Sequence, residues 1–171
     1  MEPVSAAASI VSIIAFSGQA LKAIDSFKRF CKEFEHDAIQ NFLRDLETAA
    51  SLLNDTMILA KKSKEIAVDQ HLDLRAQSLS IQVEDCAEDL EKWLKTAKRL
   101  KSERKKGSSE KMDGSKLRFF NSILTALSKS SRDDTAQRLK WHQDNIRTSL
   151  EIFGRLLFNA CHTVSKAYEA H

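Results

Sequence analysis

Apolar residues recur every three or four positions along almost the whole chain, the period of an amphipathic α-helix. The pattern predicts a first helix that opens after Pro3, a residue suited to a first helical turn. It runs through an apolar stretch to Leu21 and continues through Ile24, Phe27, Phe30, Cys31 and Phe34. Gly18 marks a plausible bend within it. Asp37 reads as the cap of a second helix with the stripe Ile39, Phe42, Leu46, Ala49, Leu53, Met57 and Ala60, closing at the Lys-Lys-Ser-Lys of 61–64. A third helix follows from the stripe Leu72, Leu79, Val83, Cys86, Leu90, Trp93, Ala97 and Leu100. The pattern stops over 101–116, which predicts a solvated, mobile basic loop. A short apolar helix over 117–127 leads to Ser131-x-x-Asp134, a capping-box-like start for a last helix. Its stripe is Leu139, Gln143, Ile146, Leu150, Phe153, Leu157, Cys161, Val164 and Tyr168. The expectation is a single all-α domain over residues 1–171, an up-and-down bundle of four to six helices.

One stretch departs from ordinary amphipathicity. Val4 to Leu21 carries no charge at all, and the helix that contains it is expected to be mostly apolar. Ser5, Ser9, Ser12 and Gln19, spaced by four, three and seven, fall on one helical face, with Phe16 intruding on it. Val4, Ile10, Val11, Ile13, Ile14 and Leu21 surround that narrow stripe. Seven large apolar side chains at about 1.5–3 kcal/mol each amount to burial on the order of 10–20 kcal/mol, in whichever environment takes them. A bundle core and a bilayer are both such environments. A secretory signal is disfavoured, because no basic residue precedes the run. A permanent membrane span is disfavoured by its Ala and Ser content and its marginal length.

Composition sharpens the picture. Four glycines and one proline in 171 residues leave few turns, which fits long helices and not sheets. The net charge of +3 hides a segment, Lys95 to Arg118, with ten basic and three acidic residues. The rest of the chain is therefore net acidic, and the basic character belongs to one connection. Three widely spaced cysteines (Cys31, Cys86, Cys161) predict reduced thiols rather than a disulfide framework.

The opening Met1-Glu2-Pro3-Val4-Ser5, followed by an Ala/Ile/Val-rich run, resembles the start of fungal HeLo-like N-terminal domains. The likeness continues loosely through the second helix and the Leu139-Lys140-Trp141 segment of the last. Such domains precede NACHT or related nucleotide-binding modules, or ankyrin repeats, in fungal NOD-like receptors of the STAND class. The resemblance implies a HeLo-like helical bundle that serves fungal innate immunity, heterokaryon incompatibility and programmed cell death. It implies a cytoplasmic domain that oligomerises with copies of itself on activation and moves to the plasma membrane. The membrane-insertion helix would carry Glu2, Val4, Ile10, Val11, Ile13, Ile14, Phe16 and Leu21. Lys98, Arg99, Lys101, Arg104, Lys105 and Lys106, in the basic segment beside it, would meet anionic lipids. The chain is expected to be an excised domain of a longer receptor or a short stand-alone relative.

Other chemistry finds little support. Gly107 and Gly114 lack the Gly-Lys-Ser/Thr ending of a phosphate-binding loop. The five histidines (His36, His71, His142, His162, His171) have no partners at metal spacing and read as surface or boundary residues. Cys161 and His162 are neighbours that point about 100° apart on a helix. No nucleophile–base pair is evident, so neither catalysis nor a cofactor nor a metal is expected. Phe119 and Phe120 belong to an apolar stripe, which argues against base stacking and nucleic acid. The alternative function is a non-lytic signalling or self-association adaptor, in which the first helix never leaves the core.

Overall fold

The computed structural model describes residues 6–32, 37–64, 70–107, 118–119, 121–123 and 132–169. The fold is all-α, and no strand occurs among the described residues. Four long helices make the bundle: α1 (Ala6–Cys31), α2 (Asp37–Ser63), α3 (Gln70–Gly107) and α4 (Arg132–Glu169). A short helical segment around 118–123 adds the buried Ile123 and the partly buried Phe119 to the core.

The stripes read from the sequence are the ones that pack. Ile39, Phe42, Leu46, Ala49, Leu53 and Ala60 of α2 are buried, as are Leu72, Leu79, Val83, Cys86, Leu90, Trp93 and Ala97 of α3. Phe27 of α1 packs on the α2 stripe, its ring edge-on to Phe42 at 5.7 Å and tilted against Phe30 at 5.9 Å. The Lys28–Glu47 ion pair (3.0 Å) closes the same seam at the surface.

Each helix packs against two others, α1 and α4 both contacting α2 and α3. Direction follows from matched residues. Ile14 to Ser26 of α1 line a groove with Glu91 and Leu94, and Lys101 lies over Phe30, so α1 and α3 run parallel. Asp89 meets Arg138 and His142, whereas Leu74 meets Ile152 and Leu156, so α3 and α4 are antiparallel. Gln143 donates to the Asp45 carbonyl at 2.8 Å, and Gly154 lies beside Leu59, which makes α2 and α4 parallel. The helices alternate up and down, with α2 diagonal to α3 and α1 diagonal to α4.

Two sequence expectations are corrected. Gly18 does not break α1, which is one helix of 26 residues. A single glycine costs about 1 kcal/mol against alanine, too little to outweigh packing along the whole helix. The expected loop over 101–116 begins late: α3 continues through Gly107. Lysine, arginine and glutamate favour helix, the Arg99–Glu103 pair (3.8 Å) adds i,i+4 support, and basic side chains suit a helix C-terminus. Residues 108–117, the expected Asp37-preceding break at 33–36 and the Ser131 cap lie outside the described residues.

Candidate functional site

The spacing of Ile10, Ile13, Ala20, Ile24 and Phe27 turns one side of α1 into the core, where all five are buried. Small residues at Ser17, Ala20 and Ala23, none more than 5% exposed, let the neighbouring helices approach closely. The orientation this imposes is not the one the serine pattern predicts. Ser9 is 2% exposed and Ser17 is fully buried, whereas Val11 is 54% exposed and Ala7, Ala8 and Ala15 also face out. Ser9 sits one residue from Ile10 and is carried inward with it. The hydroxyls of Ser9 and Ser17 find no hydrogen-bond partner. A buried unsatisfied hydroxyl costs about 1–3 kcal/mol. These serines are buried for their size.

The front of α1 is therefore apolar on both sides. Ile14, Phe16 and Leu21 are partly buried against the core, and Glu2 and Val4 lie outside the described residues. By length and composition, α1 is the one described helix able to cross a membrane, a criterion that a buried core helix also meets. In its most apolar window 39% is buried in the bundle.

The basic residues lie elsewhere than the sequence placed them. Lys98 and Arg99 are exposed on the C-terminal half of α3, and Arg104, Lys105 and Lys106 lie in its last turns. Lys101 is half-buried, its ammonium 5.5 Å from the Phe30 ring centroid. That contact sets the basic segment level with the end of α1, about 25–30 Å along the axis from Ile10 and Ile13. The basic segment and the apolar front of α1 are thus at opposite ends of the bundle, not side by side. Exposed Lys22 and Arg29 of α1, with Lys32 just past its end, join Lys95, Lys98 and Arg99 toward the basic end, because the two helices run parallel. Sequence reading missed that union, since it depends on the parallel pairing of α1 with α3.

One polar cluster lies inside the bundle. His142 is 2% exposed, which corrects its reading as a surface or boundary residue. It falls three residues after Leu139 and four before Ile146, a stripe position that the sequence already displayed. Its Nε2 lies 2.9 Å from Asp89 Oδ2, which also accepts from Arg138 Nε at 2.5 Å. Burial lowers the His142 pKa, outweighing the hydrogen bond and charge of Asp89 that raise it. Neutral His142 then donates through Nε2–H. Burial would raise the Asp89 pKa, yet the hydrogen bonds from Arg138 and His142 hold it below the usual value. Arg138 also lies over the Trp141 ring, at 5.7 Å, so Trp141 is held although half exposed.

This clasp joins α3 to α4. Burial pushes the nearby Cys86 thiol up to about 12, helped by Asp89 and Asp85, and burial does the same to Cys31. Both thiols are inert at neutral pH. Cys161, which the stripe places in the core, is exposed. No group of three or more His, Cys, Asp or Glu among the described residues is placed to hold a metal ion. Compared with family models, curated proteins and solved structures, the chain matches none.

Proposed function

We propose that this bundle is a non-enzymatic cell-death effector of the fungal HeLo-like kind. It rests in the cytoplasm as a closed bundle, acts at the plasma membrane once several copies cluster, and takes no cofactor. Its trigger would come from a receptor module in a longer parent chain. The observation that carries this reading is the two-sided apolar front of α1, which exposes Val11 and buries unsatisfied hydroxyls. Entering N-terminus first, the eighteen uncharged residues would extend about 27 Å, close to the roughly 30 Å of a bilayer core. Lys22, Arg29 and Lys32 would then stop at the entry surface, level with Lys95, Lys98 and Arg99. Each basic side chain near an anionic surface adds about 1 kcal/mol. Clustering supplies avidity, and Ser9 and Ser12 supply small-residue contacts between inserted helices.

The adaptor reading has its own support. Leu74 (65% exposed) and Ile152 border a surface depression of about 550 Å³ between α3 and α4, where a protein partner could dock. Dye release from liposomes by the artificially clustered domain separates the two readings. Leakage that requires α1 and anionic lipid supports the effector, whereas intact liposomes support the adaptor.

A further inference from the structure

Helix α4 turns one face away from the bundle. Ile146, Phe153 and Leu157 are buried on its inner side, whereas Trp141, Asp144, Arg147, Glu151, Arg155 and Phe158 are all exposed. Asp144, Arg147, Glu151 and Arg155 follow one another at spacings of three and four, hence on one side of the helix. Asp144 and Arg147 form a loose pair within the helix at 3.7 Å, and Glu151 and Arg155 make no ion pair among the described residues. Trp141 (52% exposed) and Phe158 (73% exposed) close the row at its two ends, about 25 Å apart along the axis at 1.5 Å per residue. The row therefore alternates acid, base, acid, base between two exposed aromatic rings. Reversed end for end, it reads base, acid, base, acid between the same rings. An antiparallel copy sets Asp144 level with Arg155, Arg147 with Glu151, and Trp141 with Phe158, because the three pairs share one midpoint between Thr148 and Leu150. A parallel copy in register sets like charge on like.

We propose that the outer face of α4 pairs with the same face of a second copy of this chain, antiparallel, in a two-fold symmetric dimer of closed bundles. Symmetry makes every contact occur twice, so one self-complementary row supplies four ion pairs and brings an aromatic residue of each copy to both ends. Exposed ion pairs add little affinity each. The aromatic ends supply the apolar contact, and the charges fix direction and register. The face is one helix wide, which places the dimer among small interfaces, below about 1,200 Å² in total, with a Kd on the order of 10–100 µM. The inference does not rest on membrane permeabilisation, since pairing is measured on the soluble protein without lipid.

The test is sedimentation equilibrium of the 171-residue protein from about 10 to 500 µM, a range that brackets such a Kd. A reversible monomer–dimer equilibrium is expected. Asp144→Arg and Arg155→Asp each set like charges against one another twice in the symmetric dimer, and each alone weakens pairing by about tenfold or more. Both positions are exposed, so the variants stay folded. Mixed in equal amounts, the two variants pair again, because the altered positions face each other with opposite charges and so do the unaltered ones. Recovery in the mixture also shows that neither variant lost pairing by unfolding. A wild type that stays monomeric throughout overturns the proposal and leaves the face to solvent or an unrelated protein. Single variants that pair as well as wild type overturn it by placing the dimer contact on another face. A mixture that stays monomeric overturns the antiparallel register.

Discussion

Ser17 has no polar partner and no exposure, yet it lies where α1 needs a small side chain. Alanine has nearly the same volume, carries no hydroxyl to desolvate and favours helix more strongly. Ser17→Ala should therefore stabilise the protein by about 1 kcal/mol in urea denaturation. A destabilised variant would mean that the hydroxyl has a partner in solution. His142 makes the opposite kind of prediction. Its folded pKa lies below the ordinary 6.5, so below about pH 6.5 the unfolded chain takes up a proton that the folded chain resists. Stability is full above that pH and falls as the pH drops beneath it. The Asp89 contribution, from a lowered carboxylate pKa, is retained until the pH falls below the ordinary carboxylate range. His142→Gln, which can still donate to Asp89, should flatten the dependence just below about pH 6.5. An unchanged slope in chemical denaturation at those pH values would contradict this account.

At the scale of the helix, α2 and α3 were legible because each has one apolar stripe and charges elsewhere, leaving one way to turn toward a core. The first helix offers no such contrast. With no charge between Val4 and Leu21, serine hydroxyls and Gln19 are its sole polar marks, and a serine hydroxyl is a weak guide because its volume suits a tight seam. The late end of α3 was hidden for a related reason: loss of an apolar stripe marks the end of packing, not the end of a helix. His142 and Cys161 show the same limit: His142 meets a carboxylate on another helix, and Cys161 is exposed although it lies on the stripe. The corrected orientation of α1 decides which substitutions are informative. Ile13 is fully buried, so Ile13→Asp places a charge in the core and should cost several kcal/mol or abolish folding. Val11 is half exposed, and Val11→Asp should change stability by less than about 1 kcal/mol. Thermal melts of the two variants check this directly, and equal destabilisation would show that α1 is turned differently.

For the molecule as a whole, the polarity of the bundle matters most. Six of the seven exposed large hydrophobics, Val11, Ile58, Leu74, Ile81, Ile152 and Phe158, belong to the halves of the helices that meet at the start of α1. The exposed basic residues of α1 and α3, Arg75 apart, collect toward the other end. A sequence displays both kinds of residue but not their separation, which arises because α1 and α3 are parallel while α2 and α4 run against them. An apolar end and a basic end suit a membrane approached by insertion of α1 rather than by a flat face. The most direct measurement is dye release from liposomes, with and without anionic lipid, by the clustered domain and its Val11→Asp variant. The account predicts leakage by wild type that needs anionic lipid, and loss of most of it in a Val11→Asp protein that remains folded. Leakage undiminished by that substitution, or none from clustered wild type, would contradict the claim that α1 is the membrane-active element.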